Sequence, residues 1–336
     1  MRSAARPSKP NADAPRGPCV HRLVSHDADE QAGNLRGWRQ VYDQLSAGRF
    51  VGTLAEIDFD DVQLFRETTS QTLRQSCEVP VDACWFGIPL LRDGAGRIQS
   101  RAIDENALAV RPGGVEFELL TPSGYEILGV VATHDALRRH AEDVEHIDLE
   151  CATSRGEIVV VGAGERARLA ASLMTMLRSE ITPTESMRSS LLSWLFECGA
   201  LQCGEPAALP VASRRHAIAT QARHYVLENH DRAVNVPELC THLHVSRRTL
   251  QYCFQEAFGM APNVYLRAIR LNGARRQLRH AGAAQKTQTV QDAAAAWGFW
   301  HLSQFALDYR KLFGMRPSET LNTATARAHG FATIDR

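Results

Sequence analysis

The sequence predicts an α+β fold. A β-rich, barrel-like part with accompanying helices comes first. An all-α part follows, made of two helix–turn–helix units joined by a long helix. Three observations predict this. Short apolar runs broken by turn residues fill positions 50–133; apolar residues at helical spacing, with capping residues at their starts, fill 214–320; and the charge changes sign where the pattern changes. The 336 residues carry 38 basic and 38 acidic side chains, yet residues 36–210 hold 16 basic against 26 acidic. Residues 213–316 hold 15 basic against 6 acidic, plus seven histidines. A net −10 beside a net +9 is hidden in the neutral total, and a basic half of this kind points to nucleic acid as its partner.

With 44% hydrophobic residues the chain can bury a real core. No run approaches the ~18 apolar residues of a membrane span, so no membrane partner is expected. Residues 1–18 lack an apolar signal core and are rich in Pro, Ala and Arg. Residues 1–35 therefore read as a disordered tail and the protein as cytoplasmic. None of the eight cysteines has C-x-x-C spacing, so no metal site is expected and the thiols read as reduced and buried.

Trp38, Val41, Tyr42 and Leu45 recur at helical spacing, which predicts a short helix over 36–46. GTLAEIDF, DVQLFRET and CWFGIPLL then read as strands, as do residues 107–110. An Arg-Pro-Gly-Gly turn at 111–114 precedes VEFELL and YEILGVVAT, which Thr-Pro-Ser-Gly at 121–124 separates as paired strands. Many short strands in sequence predict an antiparallel barrel or sandwich, here cupin-like. Residues 134–210 read as helices whose apolar faces either cover the barrel or pair with another subunit. This first domain spans 36–203, and the Pro-containing stretch 204–213 is the linker.

The second domain spans 214–320, with 321–336 left as a tail. Its first helix covers roughly 214–229. Asn235 caps the next, with Glu238 three residues on and Pro237 in the first turn. Ser246 caps the helix that follows, and Gly259 stops it. A long helix runs from about Pro262 to His280. A short one over 290–297, capped by Thr289, ends at Gly298, and a last one over about 302–313 is stopped by Gly314.

With Leu250, Phe254 and Ala257 placed inward, Arg248, Gln251, Tyr252 and Gln255 fall on the opposite face, with Arg247 at its border. Arg forks onto guanine and Gln onto adenine in the major groove. The same helix would also serve as a plain solvated face, and it is the pairing of two such units with the basic excess that points to DNA. In the second unit the equivalent positions are His301, Leu302, Ser303, Ala306, Leu307 and Arg310, with Phe305 and Tyr309 inward. That face is less polar, so the first unit is expected to supply most base discrimination, while Arg310 and Lys311 hold phosphates.

LHVSRRTLQYCFQEAFGMAPNVYLRAIRLNGARRQL and WGFWHLSQFALDYRKLFGMRPSE, with the closing Phe313, Gly314, Pro317 and Ser318, resemble the AraC/XylS DNA-binding domain over residues 217–318. QVYDQLSAGRF, FRETTSQTLRQSC, WFGIP and RPGGVEFELLTPSGYEILGVV resemble its ethanolamine-operon regulator (EutR-type) branch, extending the likeness to about 38–325. The resemblance implies contact with two adjacent major-groove segments of promoter DNA, contact with RNA polymerase and pairing as a homodimer. It also implies a first domain that senses ethanolamine together with adenosylcobalamin as co-effector. The branch pattern leaves open a different small amine or a carbon source as effector. No D-x-H-x-x-G cobalamin motif is present.

An ammonium ligand calls for a carboxylate and an aromatic wall. The first domain offers Glu116, Glu118, Trp85 and Phe86, with Arg111 in the adjacent turn. Effector candidates are therefore Trp85, Phe86, Arg111 and Glu118. If Val115, Phe117 and Leu119 face the core, however, Glu116 and Glu118 turn to solvent. No Ser/His/Asp or Walker pattern appears in 36–210, and Cys77 and Cys84 lack a basic neighbour, so no catalytic residue and no enzyme activity is expected.

Overall fold

The strand pattern is realised as two stacked antiparallel sheets. A computed structural model of the chain describes residues 20–90, 94–104, 106–147, 149, 158–178, 182–197, 201, 213–283 and 288–332, and leaves undescribed the side chains of 282, 283 and 327–332. Twelve strands are described: β1 (Val20–Ser25), β2 (Arg39–Gln44), β3 (Gly52–Asp58), β4 (Val62–Thr69), β5 (Leu73–Glu78), β6 (Ala83–Pro89), β7 (Arg97–Ile98), β8 (Arg101–Ala102), β9 (Ala107–Pro112), β10 (Phe117–Thr121), β11 (Tyr125–Thr133) and β12 (Ile158–Val160). One sheet has the order β1-β3-β4-β11-β6-β9-β12 and the other β2-β5-β10-β7-β8.

The inner face of the larger sheet packs on the smaller through Leu54, Phe65, Trp85, Phe117 and Ile127. Its outer face is covered by three helices, α2 (His134–His140), α3 (Ala163–Arg178) and α4 (Glu185–Glu197), through Phe86, Leu128, Leu173 and Leu192. The apolar faces of α3 and α4 thus cover the barrel. Burial on both faces is why β6 reads as an almost unbroken apolar run.

Several expectations are corrected. The helix expected at 36–46 is strand β2. Val41, needed for the helical spacing, is exposed, while Gln40, Tyr42 and Gln44 alternate toward the interior. The tail expected at 1–35 holds β1 and a short helix, α1 (Ala28–Ala32), which Asp27 caps by accepting from the N–H groups of Asp29 and Glu30; residues 1–19 lie outside the described residues. VEFELL and YEILGVVAT do not pair with each other: β10 pairs with β5 and β7, β11 with β4 and β6. The Thr-Pro-Ser-Gly turn carries the chain from one sheet to the other. Within 134–210, a strand (β12) interrupts the expected helices. The linker expected at 204–213 lies outside the described residues except Ser213, which caps the next helix.

The second domain is helical: α5 (Arg214–Glu228), α6 (Val236–His242), α7 (Arg247–Phe258), α8 (Pro262–Ala283), α9 (Val290–Ala296), α10 (Leu302–Phe313) and α11 (Pro317–Ala332). The tail expected from 321 is therefore mostly helix. One core unites all of it, with Leu250, Phe254, Tyr265, Phe305 and Tyr309 at its centre. At Gly273 in α8 the Trp297 ring lies where a Cβ would stand, so only glycine lets α9 pack this closely on the bridging helix. Cys77, Cys84 and Cys253 are free and buried, Cys240 free and half-buried. Burial pushes the Cys77 and Cys84 thiols up, which keeps them unreactive.

Candidate nucleic-acid interface

The two helix–turn–helix units are an internal repeat with matching local chemistry. In the first, Asn235 caps α6 by accepting from Glu238 N–H at 3.0 Å. Glu238 does not close the expected capping box; its carboxylate instead takes Arg232 and the Tyr225 hydroxyl. Ser246 caps α7 through Thr249 N–H, and Gly259 ends it at φ 70°. In the second, Thr289 and Asp292 form a full capping box on α9, and Gly314 ends α10 at φ 67°. Positive φ explains glycine at both stops. The stops lie 55 positions apart, and so do Pro262 and Pro317, the first residues of α8 and α11.

In α7, Leu250, Cys253, Phe254, Ala257 and Phe258 are buried. Arg247, Arg248, Gln251, Tyr252 and Gln255 are all exposed. The Arg248 guanidinium lies over the Tyr252 ring, with its carbon 5.5 Å from the centroid, and Nη2 donates to the Tyr252 hydroxyl at 3.1 Å. This orders a long, exposed side chain on the outer face of α7. In α10, Phe305, Tyr309, Leu312 and Phe313 are buried. His301, Leu302, Ser303 and Arg310 are exposed and Ala306 is half-buried. Superposing the repeat sets Arg248 against Ser303, Gln251 against Ala306, Tyr252 against Leu307 and Gln255 against Arg310. Sequence reasoning passed over Trp300, 68% exposed just before α10; a large apolar side chain beside a turn carries no helical periodicity to reveal it. Leu307, 64% exposed, stands at the outward centre of α10.

Four arginines of the bridging helix are held by acids of the protein. Arg267 pairs with Asp308 of α10. Arg275 and Arg279 pair with Asp27, and Arg276 reaches Asp43 at 3.0 Å with both terminal nitrogens. Asp27 and Asp43 belong to the first domain. The acidic half therefore neutralises arginines of the basic half directly. Further ties join the domains: Gln44 Nε2 donates to Leu312 O at 2.7 Å, Gly48 N to the same oxygen at 2.9 Å, and Arg97 Nη1 to Glu256 O at 2.7 Å.

The four residues expected to hold an effector do not converge. Trp85 stacks on Phe117, and the Arg111 guanidinium packs over the same Phe117 ring, 5.1 Å from its centroid. Arg111 is a buried residue of β9 rather than of the turn. Phe86 faces the opposite way, into the core under α2–α4, because neighbouring strand residues point to opposite faces. Glu118 does not face solvent: it is buried, its Oε2 accepts from Arg74 Nε at 2.6 Å, and its Oε1 stands 4.0 Å from His216 Nε2 of α5. Docking of the second domain covers a sheet face that alternation alone assigned to water. Among the described residues no group of His, Cys, Asp and Glu can hold a metal ion, and no helix is long and apolar enough to cross a membrane.

Residues 239–323 match a family model described as a helix-turn-helix domain. The chain is 35% identical over 124 residues to the regulatory protein HrpB of Ralstonia nicotianae, covering 34% of this chain and 26% of that one. It is 37% identical over 102 residues to the probable thc operon regulatory protein of Rhodococcus erythropolis, 30% of each chain. It is 32% identical over 97 residues to the XylDLEGF operon transcriptional activator of Pseudomonas putida, 29% of this chain and 30% of that one. The chain spans under a third of the length of these curated relatives. Among solved structures, a probable AraC family transcriptional regulator from Rhodopseudomonas palustris is 33% identical over 32% of this chain and 97% of that one, with a TM-score of 0.29. The AraC-like transcriptional activator CuxR is 17% identical over 80% and 97%, with a TM-score of 0.38.

The C-terminal helices are thus a helix–turn–helix DNA-binding domain. More particularly, this stretch is similar to the corresponding part of transcription regulators of the AraC/XylS type.

Proposed function

We propose that the whole chain is a ligand-responsive transcription regulator that activates ethanolamine-utilisation genes. The second domain lays α7 and α10 into successive major-groove segments, about one helical turn or ~34 Å apart. The first domain senses ethanolamine, and effector binding shifts the population of domain arrangements that contact the promoter productively. RNA polymerase and a second copy of the chain are its further partners. The carrying observation is the exposed Arg248–Tyr252–Gln255 face on a helix whose other face is locked in the core. The effector part rests on the resemblance of residues 38–131 to the ethanolamine-operon branch.

Adenosylcobalamin as co-effector belongs to the same proposal and rests on that resemblance alone.

A footprint of the purified protein upstream of its own gene cluster tests the proposal, with and without ethanolamine and adenosylcobalamin, at several salt concentrations. Two protected segments one turn apart, changing with ethanolamine, are expected. Protection that ignores sequence at every salt concentration refutes the reading, because phosphate contacts alone bind all DNA alike.

A further inference from the structure

Glu67 on β4 is an acid without a counter-charge. It is 4% exposed. Its partners are neutral: Gln31 Nε2 donates to Oε1 at 2.9 Å, and the Tyr42 hydroxyl lies 3.2 and 3.3 Å from the two oxygens. Among the described residues no cation pairs with it, so ionising it in place is unfavourable. Tyr125, on the neighbouring strand, buries a hydroxyl that finds no hydrogen-bond partner. Together these make a polar, aromatic interior with an uncompensated acid.

A hollow of about 430 Å³ lies just outside this interior, between the end of α1 and strands β2 and β5. Trp38, Arg39, Gln40, Ser76, Glu78 and Glu116 line it, and Arg39 pairs with Glu78, which leaves Glu116 as its uncompensated carboxylate. Glu116 accepts from the Ser76 hydroxyl and pairs with no cation among the described residues. Trp38 offers ring surface, held edge-on against Phe65 and Trp85. Gln40 belongs to both places, since its Oε1 lies 3.4 Å from the Tyr42 hydroxyl. That hydroxyl has one proton. With Glu67 neutral, Glu67 donates to Tyr42 and Tyr42 to Gln40. With Glu67 ionised, Tyr42 turns its proton to the carboxylate and leaves Gln40 Oε1 free to accept from the hollow.

We propose that this hollow binds a small organic ammonium ion, with Trp38, Gln40 and Glu116 as its contacts and Glu67 as the charge behind its floor, and that β2 carries its occupancy to α8. The proposal rests on the reading of the first domain as a small-molecule sensor. The ammonium donates to Gln40 Oε1, packs on the Trp38 ring and favours the ionised Glu67 arrangement. Its effect reaches the DNA-binding domain through one strand. Tyr42, whose hydroxyl meets Glu67, offers its carbonyl to Arg276 at 3.4 Å. Asp43, the next residue, holds Arg276, and Gln44 is held by Asn272.

The test is calorimetry on the full chain with ethanolamine, methylammonium and putrescine, against the neutral diol ethylene glycol. At least one amine binds, and the diol binds at least about tenfold more weakly, as expected for losing a charged hydrogen bond. Glu67→Gln and the surface variant Glu116→Gln each weaken the amine, while melting curves report whether each remains folded. No heat with any of the three amines, or equal binding of amine and diol, overturns the proposal. So does unchanged amine binding in both variants. A DNA footprint run on the same samples separates the readings: protected DNA without amine binding removes the hollow proposal and the ethanolamine response but leaves the DNA-binding reading, whereas amine binding without DNA protection removes the DNA-binding one.

Discussion

Asn272 of α8 pairs with the backbone of Gln44 as a neighbouring strand would: its Oδ1 accepts from the Gln44 N–H at 2.9 Å, and its Nδ2 donates to the Gln44 carbonyl at 2.9 Å. Both groups are buried. A side chain of the DNA-binding domain thus completes the free edge of a sheet in the other domain, where β2 is the terminal strand. Asn272→Ala leaves a buried N–H and C=O without partners, each costing about 1–3 kcal/mol. Chemical denaturation is expected to show that loss, and hydrogen exchange at residues 39–44 is expected to accelerate. An exchange pattern identical to that of the parent chain would mean the pairing does not hold in solution.

Asp27 meets Arg275 and Arg279 in largely buried surroundings, and Asp43 meets Arg276. Breaking a buried ion pair by removing one partner costs about 3–5 kcal/mol, because a buried charge is left behind. Asp43→Asn is expected to lower stability toward that range and to release Arg276 for phosphate. Titrating DNA at several salt concentrations checks the second part. Each additional phosphate contact steepens the slope of log affinity against log salt by about 0.9. An unaltered slope rules out the idea that the acidic half screens the basic one.

The first recognition helix is expected to carry most base discrimination. Arg248→Ala should lose about 1–3 kcal/mol at its preferred base and relax the site there, whereas Arg310→Ala should weaken all sequences evenly and reduce the salt slope by about 1. Binding selections on randomised half-sites measure both. If Arg248→Ala kept operator preference while Leu302→Ala abolished it, the division of labour would be reversed.

Burial pushes the Glu67 carboxyl up to about 7, with the bonds from Gln31 and Tyr42 pulling partly back. A carboxyl raised in the folded state favours folding fully below its unfolded value, near 4.5, and that contribution is lost as pH rises through about 7. Glu67→Gln has no such loss. The stability difference between variant and parent is therefore expected to move in the variant's favour from pH 5 to pH 8. Melting curves across that range check the sign, and comparison with the parent cancels the raised values of Asp29 and Glu56, which both chains share.

Local signals made the DNA-binding domain legible. Asn235, Ser246 and Thr289 cap, Gly259 and Gly314 stop, and the inward faces of α7 and α10 follow the helical period, so both recognition faces are where periodicity puts them. Residues whose neighbours come from distant sequence were not legible. Val41 mimicked a helical period in a strand. Glu118 alternated as a solvent-facing residue until His216 and Arg74 closed over it. Arg275, Arg276 and Arg279 follow one another along a single helix, and nothing near them in sequence announces Asp27 or Asp43, more than 230 positions away. The hollow beside β2 was equally hidden, because it depends on α1, which composition assigned to a tail.

The 55-residue repeat is unequal on its outer faces: Arg248, Gln251 and Tyr252 stand where the second copy has Ser303, Ala306 and Leu307. On the proposed mode of binding, such a pair would read its two groove segments by different chemistry, giving a single chain a front and a back along the duplex. Because Asn272, Arg275 and Arg276 bind the first domain to the helix between the two readers, that domain is carried toward a fixed end of the site. The operator is then a vector, and inverting it in place would turn the sensing domain away from whatever it faces on the promoter.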